Sequence, residues 1–88
     1  MKCDVCNDLV DTIDGLGANK LSSAAAAECV ERIRAHDASL SCCDRLRHAI
    51  DRRLGHLRQR GHDGTAVWGY LRDCVAVLDE KYTAANAV

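Results

Sequence analysis

Six cysteines, Cys3, Cys6, Cys29, Cys42, Cys43 and Cys74, occur in a chain of 88 residues, far above ordinary usage. At that density thiols in a small protein either pair as disulfides or hold a soft metal, and in both cases they supply stability that side-chain volume does not. An even count in a small chain fits a framework of bridges whose connectivity the sequence alone cannot choose. The rival is a tetrahedral zinc or copper site, with Cys3-x-x-Cys6 as one half and Cys43 plus Cys29 or Cys74 as the other. Structural zinc sites usually show a second close pair at Cys-x-x-Cys spacing, which the adjacent Cys42-Cys43 does not provide. Disulfides are therefore the first expectation, a bound metal or redox-active dithiol the second, and plainly buried thiols the third.

Other chemistry is sparse. His36, His48, His56 and His62 read as surface residues, because His48 and His56 stand about two helical turns apart, too far to share one ion. Asp63 beside His62 belongs to a turn and faces no visible nucleophile. No Ser-His-Asp set, paired carboxylates or glycine-rich phosphate loop is present. One enzymatic idea has a mechanism, a Cys3-x-x-Cys6 thiolate activated at a helix start, but the strand-rich scaffold of thioredoxin-like redox proteins is missing. The chain is expected to act by binding and not as an enzyme, with no cofactor; the alternatives are an intracellular zinc- or copper-binding or redox-sensitive helical regulator, and a small structural subunit of a larger assembly.

The elements that must position these thiols are helical. Proline is absent, glycine occurs only six times, and no alternating β-branched run appears. A first helix starts near Asp4, turns Val5, Cys6, Leu9, Val10 and Ile13 inward, and stops at Gly15 and Gly17. A second starts at Ser22 or Ser23, buries Ala26, Cys29, Val30 and Ile33, and ends around His36, with Asp37 to Ser39 as the turn. The third carries the clearest stripe, Cys43, Leu46, Ile50, Leu54 and Leu57, and ends before Gly61. The fourth runs from Thr65 as N-cap to about Thr83, with Val67, Leu71, Cys74, Val75, Leu78 and Tyr82 inward. Gly69 inside it either permits a close helix crossing or is simply tolerated.

Four amphipathic helices with short connections predict one all-α domain over residues 1–88, a small cysteine-stapled four-helix up-down bundle. In that topology the first and third helices begin at the end where the second and fourth finish. Cys3, Cys6, Cys42 and Cys43 then lie within about one turn of that pole, and Cys29 and Cys74 roughly 10 to 12 Å deeper. Cys6, Cys29, Cys43 and Cys74 fall on inward stripes, one per helix, and form the candidate metal set, with Cys3 and Cys42 at the margin. If neighbouring helices are bridged, Cys29 pairs with Cys42 or Cys43 and Cys74 with Cys3 or Cys6.

The opening Cys3-Asp4-Val5-Cys6-Asn7-Asp8-Leu9-Val10 resembles that of saposin-like domains, small and mostly secreted helical proteins whose first helix starts with a CxxC and an apolar pair. Cys29 ahead of a cysteine at the next helix start, and the separation of Cys43 and Cys74, also resemble the family's later cysteines. The resemblance implies a disulfide-bonded module that engages a protein partner or lipid. The chain departs from the family in having only Cys74 near its end and an extra cysteine in the Cys42-Cys43 pair. With no Phe and thirteen Ala it would also make a poor acyl pocket.

Charge is uneven although the net value is −1. Residues 1–31 carry −4, residues 32–60 carry +5 and residues 61–88 carry −2. Asp4, Asp8 and Asp11 line the outer face of the first helix, and Arg45, Arg47, Arg52, Arg53, Arg58 and Arg60 surround the third. These are expected to be solvated faces with some Arg to Asp pairing, each worth under about 1 kcal/mol. Alternatively, Arg45, Arg52, Arg53, Arg58 and Arg60, with Trp68 on the fourth helix, form a surface for an acidic protein partner. Nucleic acid fits least, since the pI is 6.4 and no aromatics accompany the arginines. No apolar run approaches the roughly 18 residues that span a bilayer, and the N-terminus has no secretory h-region. The expected location is extracellular if a leader has been removed. Otherwise it is the cytoplasm or the mitochondrial intermembrane space, although the twin Cys-x₉-Cys spacing of helical proteins there is not found.

Overall fold

Capping residues decide where each helix begins. The computed structural model describes residues 3–37 and 39–86 and forms four helices, α1 (Asp4–Asp14), α2 (Lys20–Ala35), α3 (Leu40–Gln59) and α4 (Ala66–Asn86). Cys3 is the extended N-cap of α1, and Gly15 closes that helix. The second helix starts earlier than Ser22, because the Asn19 side chain accepts the Ser22 N–H at 2.8 Å and makes Asn19 the cap. Ser22 then sits in the first turn, where its hydroxyl accepts the Gly17 N–H at 2.8 Å. Ser39 caps α3 by accepting the Cys42 N–H at 3.1 Å, and Thr65 caps α4 by accepting that of Trp68 at 3.3 Å. Gly61, at φ 77°, ends α3 in a left-handed turn that few side chains tolerate. There the His62 N–H reaches the Leu57 carbonyl at 2.8 Å and the Gly61 N–H that of Arg58 at 3.0 Å, the paired bonds of a Schellman motif.

The helices alternate in direction, as the short connections predict. Asn7 with Arg45 and Asp14 with Arg52 show α1 and α3 running parallel. Asp8 with Arg32 and Cys6 with His36 show α1 against α2 running antiparallel, and Arg47 with Asp79 and Cys43 beside Tyr82 show the same for α3 against α4. Their order around the bundle is α1, α2, α4, α3: α1 packs on α2 and α3, and α4 packs on α2 and α3. Among the described residues no Cα of α2 lies within 8 Å of one in α3, and none of α1 within 8 Å of one in α4. The consecutive helices α2 and α3 are thus diagonal partners. The chain between Ala35 and Leu40 must cross the end of the bundle, a span that five extended peptide units of about 17 Å can reach.

The core is aliphatic and thiol-lined. Leu9, Ile13, Ile33, Leu46, Ile50, Leu57, Val67, Leu71 and Leu78 are buried together with Cys6, Cys29, Cys43 and Cys74, and no polar or charged residue is buried among the described residues. Two expected inward residues face out. Val5 is 41% exposed because it lies one position off the Cys6, Leu9, Ile13 stripe, and Tyr82 is 41% exposed at the rim where α3 begins. At Gly69 a Cβ would meet nothing within 4 Å, so the residue faces open space and permits no close crossing.

Candidate metal centre

Three segments converge at the pole where α1 and α3 start and α2 ends. Cys3 and Cys6 occupy the N-cap and first turn of α1, and Cys42 occupies the first turn of α3. His36 stands one residue beyond α2, at the start of the connection that crosses the bundle end. The sulfurs of Cys3, Cys6 and Cys42 and a ring nitrogen of His36 all lie within 4.8 Å of one another. Nε2 of His36 is 3.4 Å from Cys6 Sγ and 3.6 Å from Cys3 Sγ.

Those separations can be compared with a metal tetrahedron. Zn–S bonds of about 2.3 Å and Zn–N bonds of about 2.0 Å give S···N edges near 3.6 Å and S···S edges near 3.8 Å. The two sulfur to nitrogen distances already match, and the widest pair needs to close by about 1 Å at most. Cys6 and Cys42 are buried, whereas Cys3 and His36 are half-buried and leave a route from solvent. The set is soft and compact, three thiols and an imidazole, and suits Zn²⁺ or Cu⁺ better than a hard cation.

The electrostatics separate the thiols. Burial works against the Cys42 thiolate, but hydrogen bonds from Cys6, Ser39 and His36 outweigh it and bring the group down to about 6. Its place at the start of α3, where backbone N–H groups point inward, favours the same charge. The Cys6 thiol moves up, first through burial and then because it shares hydrogens with Cys42 and Cys3. Within the cluster the thiolate is thus favoured at Cys42 and disfavoured at Cys6.

The other three cysteines do not join this centre. All six are free thiols, and the expected bridges fail on geometry. Cys29 cannot reach Cys42 or Cys43, nor Cys74 reach Cys6, because these pairs sit on helices that are diagonal in the bundle with Cα atoms more than 8 Å apart. Cys74 also lies two turns below the pole, away from Cys3. Cys29 and Cys74 instead oppose each other across the parallel α2 and α4. Burial pushes both thiols up, Cys74 to about 12 with a further push from Cys29. Cys43 turns from α1 toward α4, in a cleft of about 270 Å³ with Asp44, Arg47, Leu78, Asp79 and Tyr82. Burial raises its thiol as well, with an added push from Cys42. The expected metal set of Cys6, Cys29, Cys43 and Cys74 is thus not brought together, and the donors that do meet among the described residues are Cys3, Cys6, Cys42 and His36. One residue of rotation about α3 aims Cys42 at α1 and Cys43 at α4, and only the first faces the other thiols.

His36 was expected on the surface. Its signal in the sequence is positional: it stands where α2 stops, at the pole already assigned to Cys3, Cys6 and Cys42.

The arginines of α3 are largely engaged within the chain. Arg45 donates to the Asn7 side chain, Arg53 to the Asp14 carbonyl, and Arg52 approaches the Asp14 carboxylate at 3.4 Å. Arg47 bridges Asp51 at 3.3 Å and Asp79 at 2.6 Å. Of the expected partner surface, Arg58 and Arg60 are exposed and make no ion pair among the described residues, while Trp68 is half-buried against the core. No helix among the described residues is long and apolar enough to cross a membrane. No family model, curated protein or solved structure matches the chain, so the likeness to saposin-like domains rests on the cysteine pattern alone.

Proposed function

We propose that this protein is a small helical metal-binding module whose centre, Cys3, Cys6, Cys42 and His36, takes a single Zn²⁺, with Cu⁺ as the competing soft ion. The observation that carries this reading is the meeting of four donor atoms from three segments within 4.8 Å, with sulfur to nitrogen spacings of 3.4 and 3.6 Å. Four protein donors complete a tetrahedron and leave no open position, the arrangement of a structural site and not of a hydrolytic one. Bound zinc would tie the start of α1 and the start of α3 to the end of α2, across the diagonal of the bundle. The module would then present its surfaces, including the exposed Arg58 and Arg60, in a metal-dependent state.

Cobalt titration of the reduced protein tests the reading. One equivalent of Co²⁺ should give the intense ligand-field absorption of a tetrahedral thiolate-rich site, and one equivalent of Zn²⁺ should bleach it. Cys42→Ser and His36→Ala should each weaken binding, whereas Cys29→Ala should leave it intact. An octahedral cobalt spectrum, or binding unaltered by Cys42→Ser, would overturn the proposal.

A further inference from the structure

We infer that Lys81, on α4 and remote in sequence from every donor, is a positioning residue for the metal centre, fixing His36 through a hydrogen bond to its backbone. This rests on the reading of Cys3, Cys6, Cys42 and His36 as metal ligands. The Lys81 ammonium donates to the His36 carbonyl oxygen at 2.9 Å, a contact across 45 positions of sequence. His36 has extended backbone, φ −77° and ψ 131°, just beyond the end of α2, so regular helix geometry no longer holds it. Its N–H is retained by the carbonyls of Arg32 at 3.0 Å and Ile33 at 3.3 Å. Lys81 takes the carbonyl on the other side, and the residue that offers its ring to Cys3 and Cys6 is pinned through both of its backbone polar groups.

Two physical effects favour the contact. The C-terminal end of α2 carries partial negative charge, which a cation one residue beyond the last turn complements. A centre of three thiolates, one neutral imidazole and a divalent ion carries a net charge of about −1, which the same ammonium offsets. Lys81 reaches this place because α2 and α4 are parallel neighbours and end at the same pole. Outer contacts that orient metal ligands typically contribute about 10- to 100-fold to affinity.

The test uses the full chain with Co²⁺ as probe and compares Lys81→Met, Lys81→Arg and His36→Ala. Lys81→Met keeps the apolar stem and removes the donor and its charge. It should leave helix content unchanged, weaken Co²⁺ about tenfold in chelator competition, and move the ligand-field band toward that of His36→Ala. Lys81→Arg should restore both readouts, and Arg34→Met, which removes an exposed α2 cation paired with Glu31, should alter neither. A Lys81→Met protein with wild-type affinity and an unmoved band overturns the role of Lys81 while the metal centre stands. A wild-type protein without a tetrahedral cobalt spectrum overturns both.

Discussion

Substituting one sulfur should disconnect metal from fold stability. In reduced protein with free Zn²⁺ held at about one hundred times the dissociation constant, an ion that binds only the folded chain stabilises it by about 2.7 kcal/mol. For a domain near this size each kcal/mol moves the melting temperature by roughly 4 to 8 °C, so zinc should raise it by roughly 11 to 22 °C. Cys42→Ser removes the thiol that hydrogen-bonds with Cys6, Ser39 and His36, contacts that favour its thiolate. If affinity falls a hundredfold, the same zinc level leaves about 0.4 kcal/mol, or roughly 2 to 3 °C. Cys74→Ala is the control: it opens a small void in the core and lowers the metal-free melting point, yet it should preserve the rise with zinc. Thermal melts followed by far-ultraviolet circular dichroism measure all three proteins. An equal rise in Cys42→Ser, or a rise abolished by Cys74→Ala, would refute the placement of the centre.

Alkaline pH should expose the deep thiols. Cys74 lies at about 12 in the folded protein against 9.0 for an ordinary thiol, so the unfolded chain sheds its proton first, and stability held below about pH 9 declines toward pH 12. The loss is about 1.4 kcal/mol per pH unit for that group, and urea melts between pH 8 and 10.5 (about the accessible window) should show a shallower decline in Cys74→Ala; identical slopes would contradict the burial argument. Alkylation of the reduced, metal-free protein followed by mass spectrometry should label half-buried Cys3 ahead of Cys29 and Cys74, with zinc suppressing Cys3; equal rates at all three would contradict the exposure pattern. Gly55→Ala and Gly69→Ala occupy open space inside helices, and each should raise stability by up to about 1 kcal/mol in urea melts, whereas destabilisation by either would show that the position is crowded.

The helices were legible because their apolar stripes are regular. The α3 stripe of Cys43, Leu46, Ile50, Leu54 and Leu57 is buried throughout, and Thr65 caps α4 as expected. The start of α2 was less legible, because Asn19 and the serines at 22 and 23 are all competent caps and only the Asn19 to Ser22 bond decides among them. A stripe says which face is buried but not which helix covers it. The order α1, α2, α4, α3 was therefore beyond reach, and with it the partners of Cys29 and Cys74. The convergence of cysteines toward one end was readable from helix direction alone. Which donors meet there was not, since it turns on a difference of one residue, about 100° of rotation, between Cys42 and Cys43.

Packing of α2 against α1 explains why a histidine joins the cluster. The two helices are antiparallel neighbours, so the first residue after α2 lies beside the start of α1. Two helix N-termini that favour thiolate and an α2 end that Lys81 complements meet there. The chain lacks Phe and has a core of small aliphatic and sulfur side chains, and α1 spans only 11 residues. Its packing on α2 is the sparsest of the packed helix pairs, and the exposed Asp8 to Arg32 ion pair across it contributes under about 1 kcal/mol. A metal ion at the cluster would therefore act where the packing has least to offer, turning the weakest join of the bundle into one that depends on the ion.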